Sequence, residues 1–397
     1  MSSAAANNLP SKWNWVMLER FVFRRDDDES FPDESKAPIR ASGTTSWGAP
    51  FRVAFKLADP PAISRLYAQL PGFPDPSKQT PLAILATHQH FALFRVGMQD
   101  TRGALVQDFF IYSASDADNP LKRLPPCTLP DMDNHTLISR CRRRPPPPGK
   151  VEDRRVMNIA SMGFLSRGER DWQTDTVVPV HNRLCWINNY RGILLCDLFQ
   201  EPTPTLSLVR FPPEEYEYPS TDIHIIASCW FYCSASAIDD GRALKFVRVI
   251  RHDGNRYGPL KTDAGGFTIT CHTLLLETMV WSKDYTVTSG ELWSVNPPEH
   301  LPRDILLFPQ VNIDRPHVLH FLITEFRYVM KKMWVVTIDM NTRIAESCFQ
   351  YIIGREDIGT EDADFTERKS SSPKSFLPCE LFKFLHISRM YDLDQSL

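Results

Sequence analysis

As a string of apolar and polar positions, the chain breaks into many short apolar runs, each closed by Pro, Asp, Asn or Gly. Phe51-Arg52-Val53-Ala54-Phe55-Lys56-Leu57 alternates at a period of two, the pattern of a strand with one buried and one exposed face. Further strand-length runs stand at residues 82–86, 91–96, 109–112, 184–187, 193–199, 206–211, 223–233, 243–250, 267–270 and 334–339. Turn signals recurring roughly every ten residues predict an all-β, many-stranded antiparallel fold, either a sandwich, a barrel or a propeller. Two stretches have helical character, residues 61–67, which open on proline, and residues 380–385.

Composition sharpens this picture. The chain holds 32 prolines and 17 glycines in 397 residues. An interior proline costs a helix about 3 kcal/mol, so prolines spread this widely leave room for little helix, below about 15% of the chain. Trp186, Trp230, Trp281 and Trp334 sit in or beside apolar runs. Their spacing of roughly 45–55 positions is near the 40–50 residues of a propeller blade, although no Gly-His…Trp-Asp signature accompanies them.

Polar stretches punctuate the runs. Residues 1–12 are small and polar and are expected to be disordered. Residues 24–46, rich in Asp, Ser, Pro and Lys, read as an exposed, mobile insertion. Arg142-Arg143-Arg144 followed by Pro145-Pro146-Pro147-Pro148-Gly149-Lys150 reads as an extended polyproline linker. Residues 356–397 form a charged, Ser-rich segment and tail. One elaborated domain over residues 13–355 is therefore expected.

Charge and cysteine content narrow the partners. The 45 basic and 48 acidic residues nearly cancel, so no global field points to nucleic acid. No apolar run approaches the ~18 residues of a membrane span, and no signal peptide opens the chain. Nine cysteines, an odd number set mostly within apolar runs, read as reduced and buried in a protein of the cytoplasm or nucleus.

Candidate chemistry is sparse. His88-Gln89-His90 has a spacing that metals use, but no third ligand stands nearby, so a pair of histidines at a turn is the better reading. Cys229-Trp230-Phe231-Tyr232-Cys233 reads as a buried strand. His181 and Cys185 share a strand face but lie about 13 Å apart along it, beyond hydrogen-bond reach. The carboxylates of Asp26-Asp27-Asp28-Glu29 and Asp239-Asp240 fall in polar turns, where solvation is the default. No nucleotide-cradling glycine loop or nucleophile elbow occurs, so no cofactor and no metal is expected.

One block resembles a known family. Leu184-Cys185-Trp186-Ile187-Asn188-Asn189-Tyr190-Arg191-Gly192-Ile193-Leu194-Leu195-Cys196-Asp197-Leu198 is similar to the core of the plant family called domain of unknown function 1618, which is expanded in grasses. Weaker similarities follow in order at Trp15-Val16-Met17-Leu18-Glu19-Arg20, Phe55 to Leu66, Asp108-Phe109-Phe110-Ile111-Tyr112, Leu244-Lys245-Phe246-Val247 and Trp334 to Met340. Asn188 stands where the family usually has Asp. The resemblance implies a relation to the propeller-like domains that follow F-boxes, and it supplies no catalytic residue. The short polar stretch ahead of Trp13 does not read as an F-box.

Within the block, a hairpin loop over residues 188–192 joins two strands, with Asn and Gly suited to positive φ. Trp186, Arg191, Gly192, Cys196 and Asp197 are read as fold-specifying, with Asp197 buried and accepting hydrogen bonds. The expected function is a non-enzymatic β scaffold for a protein partner, with no obligate small-molecule ligand. The alternative is a hydrolase-like enzyme working from a polar central cavity.

Overall fold

The computed structural model describes residues 14–73, 81–99, 105–125 except 117, 174–197 except 181–182, 205–212, 229–255, 257–261, 265–352 except 328, and 375–381. The segments 1–12, 142–150 and 356–374 lie outside the described residues, as do His181 and most of the 380–385 stretch.

Strands dominate, and they group into five small sheets set in a ring that resembles a five-bladed β-propeller. Blade 1 contains β1 (Val16–Arg24), β2 (Ile39–Thr44), β3 (Pro50–Lys56) and β4 (Ile63–Gln69). Blade 2 is β5 (Leu82–His88), β6 (Phe91–Gln99), β7 (Leu105–Ser113) and β8 (Leu121–Arg123). Blade 3 is β9 (Thr176–Val180), β10 (Arg183–Asn188), β11 (Gly192–Asp197) and β12 (Thr205–Val209). Blade 4 is β13 (Cys233–Ile238), β14 (Ala243–Arg251), β15 (Phe267–Leu275) and β16 (Val280–Thr288). Blade 5 is β17 (Leu307–Val311), β18 (Val318–Arg327), β19 (Val329–Asp339) and β20 (Ile344–Ile352).

The ring closes in blade 1, where the two ends of the chain meet. There β21 (Leu377–Cys379) pairs antiparallel with β1, Val16 opposite Cys379 and Leu18 opposite Leu377. On its other side β1 runs parallel to β4, a departure from the otherwise antiparallel pattern. Trp15 completes the closure across the seam to blade 5. Its indole Nε1–H donates to Asn312 Oδ1 at 3.3 Å, and its ring lies 5.8 Å from that of His320.

Apolar packing is unequal around the ring. One cluster spans blades 1, 4 and 5, a second joins blades 1 and 2, and a third joins blades 3 and 4. Among the described residues no apolar cluster joins blades 2 and 3. Three innermost strands carry a proline, Pro179 in β9, Pro309 in β17 and Pro378 in β21. An innermost strand is a sheet edge, where a missing N–H breaks no ladder, so part of the proline excess is placed where a sheet tolerates it.

Several expectations are corrected. Residues 61–67 are not helical; most of them form β4, six of whose seven side chains are buried, because the segment is clasped between β1 and β3. Residues 24–46 are not a bare exposed insertion. They contain β2, and Phe31, Ala37, Ile39 and Ala41 are buried, with Arg40 and Arg52 stacked over the Phe31 ring. The 223–233 run is not one strand: residues 229–232 are helical and β13 begins at Cys233. The tryptophans mark no common blade position, since Trp186 lies in β10, Trp281 in β16, Trp334 in β19 and Trp230 in the helical turn. One short helix, α1 (Ser289–Val295), follows blade 4, closed by a reciprocal cap between Thr288 and Glu291.

Candidate functional site

The innermost strands face a common cavity of about 600 Å³ at the centre of the ring. Each four-stranded blade enters through its inner strand, so these strands run the same way and their first residues gather at one end. Asp175, just ahead of β9, Trp230, just ahead of β13, and Arg20 from β1 meet there. His88, Asp240 and Glu380 follow the inner strands and lie toward the other end.

Asp175 is the hub of the first end. Its Oδ2 accepts the Asn189 main-chain N–H at 2.7 Å, and its Oδ1 accepts the Trp230 indole N–H at 2.7 Å. Its main-chain oxygen accepts a bond from Arg20 Nη1 at 3.3 Å. Residues of blades 1, 3 and 4 thus converge on one residue. Burial pushes the Asp175 carboxyl up to about 6, against the pull of its two donors and of Arg20. Burial likewise draws the Arg20 guanidinium below its ordinary value, with Asp175 and Glu19 opposing.

The remaining polar lining is braced by the fold. Gln310 donates to Ser236 Oγ at 3.3 Å, tying β17 to β13. Thr87 Oγ1 donates to the Pro378 carbonyl at 2.8 Å, tying β5 to β21. Burial lowers the His88 imidazole, with Glu380 opposing.

The residues singled out in the sequence are distributed as follows. His88 ends β5, and Gln89 turns the chain at φ 49 before His90, so the two imidazoles flank a tight turn. Among the described residues no group of three or more His, Cys, Asp or Glu is placed to hold a metal ion. Trp186 is buried on β10 and packs with Leu184 and Cys196. Gly192 opens β11 at φ +134, and a Cβ there would meet the Val209 carbonyl oxygen at 2.5 Å, so both backbone and space require glycine. Asn188 shapes the turn through its side chain, whose Oδ1 accepts the N–H groups of Tyr190 and Arg191. Its φ is not positive, so the expected left-handed conformation falls to Gly192 alone.

Asp197 is not buried as expected. It ends β11 at the blade surface, 33% exposed and 3.7 Å from Arg183. The seven described cysteines are reduced thiols, and all but half-buried Cys348 are buried. Burial pushes the thiols of Cys185 and Cys196 upward, away from thiolate reactivity. The hub residue Asp175 and the lining residue Ser234 went unrecognised in the sequence, because only the closed ring brings them to the cavity. Asn189 lies in the recognised block, Arg20 in the opening motif, and Trp230 among the spaced tryptophans, but none carried a chemical signature.

A family model described as a protein of unknown function, DUF1618, matches residues 186–320. The match runs from β10 in blade 3 into β18 in blade 5, and it includes the Arg191-Gly192 turn, Trp230 and Ser234. No curated protein matches the chain. No helix among the described residues is long and apolar enough to cross a membrane.

Proposed function

We propose that this chain is a non-enzymatic β scaffold that binds a protein partner in the cytoplasm or nucleus. On this reading it belongs with the plant family noted above and is related to the domains that follow F-boxes. The observation that carries the reading is the tip of the β15–β16 hairpin. There Leu275, Met279 and Val280 are 47%, 37% and 58% exposed, three large apolar side chains within six positions. Apolar groups clustered on a loop at the edge of a rigid scaffold suit a protein partner better than solvent.

A hydrolase reading would centre on Asp175, whose raised pKa suits proton transfer. Both its carboxylate oxygens already accept from fixed donors, which supports a structural role. The test is capture of partners from plant tissue with wild-type protein and with a Leu275→Ser/Val280→Ser variant. The expected result is a stoichiometric partner that the variant loses without a change in melting temperature. Retention of that partner by the variant, or turnover of ester or glycoside substrates abolished by Asp175→Asn, would overturn the reading.

A further inference from the structure

Among the described residues every pair of neighbouring blades shares an apolar cluster except blades 2 and 3. Both walls of that seam are nevertheless apolar. On blade 3, Trp186 stands in register between Val177 of β9 and Leu194 of β11, and Leu184 stands opposite Cys196. These side chains alternate with Cys185, Ile187, Ile193 and Leu195, which pack toward blade 4, so they point toward blade 2. On blade 2, half-buried Leu93, Phe109 and Ile111 alternate with Phe94, Phe110 and Tyr112, which pack against blade 1. Trp186 is only 2% exposed, and Leu184 and Cys196 are buried beside it. A sheet face reaches that burial under a second layer, yet no described apolar side chain of another blade packs against this one. The cover comes from residues beyond those described.

We infer that residues 156–165 of this chain dock in the seam between blades 2 and 3, against the Trp186 face. Topology selects this occupant first. Residues 126–173 join β8 to β9, so this connection leaves from one wall of the seam and arrives at the other. Length agrees. The connection runs from Arg123 to Thr176, whereas the stretch from Gln69 to Leu82 suffices to cross from blade 1 to blade 2. Composition then picks the part of it that docks. Val156-Met157-Asn158-Ile159-Ala160-Ser161-Met162-Gly163-Phe164-Leu165 is a near-continuous apolar run, set off by Arg154-Arg155 before it and Arg167-Gly168-Glu169-Arg170 after it. Its apolar residues fall at both odd and even positions, the pattern of a segment covered on two sides, as one lying between two blades is. No other part of the connection is comparably apolar. The inference is independent of the protein-partner reading, which concerns the hairpin tip of blade 4.

Two cysteines of one hairpin report on the seam, because Cys196 lies on the Trp186 face and Cys185 on the opposite face, against blade 4. The test is thiol labelling of the full chain under native conditions, read at each cysteine by peptide mass spectrometry. Wild-type protein should protect both. Ile159→Asp and Phe164→Asp should speed Cys196 labelling about tenfold or more while Cys185 stays protected, since a carboxylate resists transfer into an apolar seam. Leu137→Asp, in the same connection but outside the docked stretch, should change neither. Where an aspartate variant labels both cysteines through loss of the fold, Phe164→Ala, which removes packing alone, carries the comparison. Undiminished Cys196 protection in the folded variants, or equal uncovering by Leu137→Asp, would overturn the inference. Protection of Cys196 that fades on dilution would assign the seam to a second copy of the chain and overturn it as well.

Discussion

Two arginines show how differently this ring uses the same side chain. Arg251, at the end of β14, has every guanidinium donor engaged. Its Nε and Nη2 hold Asp253 at 2.9 and 2.5 Å, Nη1 reaches Tyr232 Oη at 3.0 Å and the Gly258 carbonyl at 2.7 Å, and Nη2 also reaches the Pro259 carbonyl at 3.0 Å. Asp253 is held well below the usual carboxylate range, first by the hydrogen bond from Arg251. Arg20, in the central cavity, has one hydrogen bond at 3.3 Å and an orphaned Nε. A saturated buried network holds a fold tightly, whereas a partly satisfied one contributes less to it. The Arg251 network is complete and the Arg20 network is not.

The largest effect that would break this comparison comes from the complete network. Arg251→Met should cost about 3–5 kcal/mol in urea unfolding, because it strands a fully buried carboxylate. Trp15→Ala should cost a similar 3–5 kcal/mol, since a fully buried indole closes the seam between blades 1 and 5. Gly192→Val should follow at about 2–4 kcal/mol, from a positive φ combined with the clash against Val209.

Protonation sharpens the contrast. The folded protein raises Asp175 to about 6, so this group's stabilisation is full below about pH 4 and is lost as pH rises through 6. Its removal in Asp175→Asn should flatten the pH dependence of unfolding by roughly 1–3 kcal/mol between pH 4 and 7. His320 works in the opposite sense. Buried between Asn312 and Thr337, it is lowered to about 3, so its contribution is full above its ordinary 6.5 and is lost as pH falls toward 3. The comparison of wild type with Asp175→Asn at each pH therefore isolates the cavity group. The smallest effect is expected of Asp197→Ala, which removes one half-exposed ion pair worth about 0–1 kcal/mol.

Much of the fold was legible because strand periodicity and turn residues are local signals. β3, β5, β6, β10, β14 and β19 lie where apolar runs predicted strands, and Gly192 stands where a turn demanded glycine. The errors share a cause. β4 has a proline-led sequence that suits a helical turn, and only its place between β1 and β3 makes it a strand. β2 lies in a polar stretch whose few apolar residues, Ile39 and Ala41, find a core supplied by other strands. The Thr288-Ser289-Gly290-Glu291 capping signal for α1 was present in the sequence, yet too short a periodic stretch followed it to stand out. The cavity was hidden for a stronger reason. Arg20, Asp175, Asn189 and Ser234 come from distant parts of the chain, and no spacing rule links them before the ring closes.

The most direct measurement is urea unfolding of Arg20→Met beside Arg251→Met at pH 5, where Asp175 is largely protonated and leaves no bare charge behind. If Arg20 is only loosely tied into the fold, Arg20→Met should change stability by less than about 1 kcal/mol or raise it, while Arg251→Met loses about 3–5 kcal/mol. Equal, large losses in both variants would show that Arg20 holds the fold together as Arg251 does, and would contradict the account.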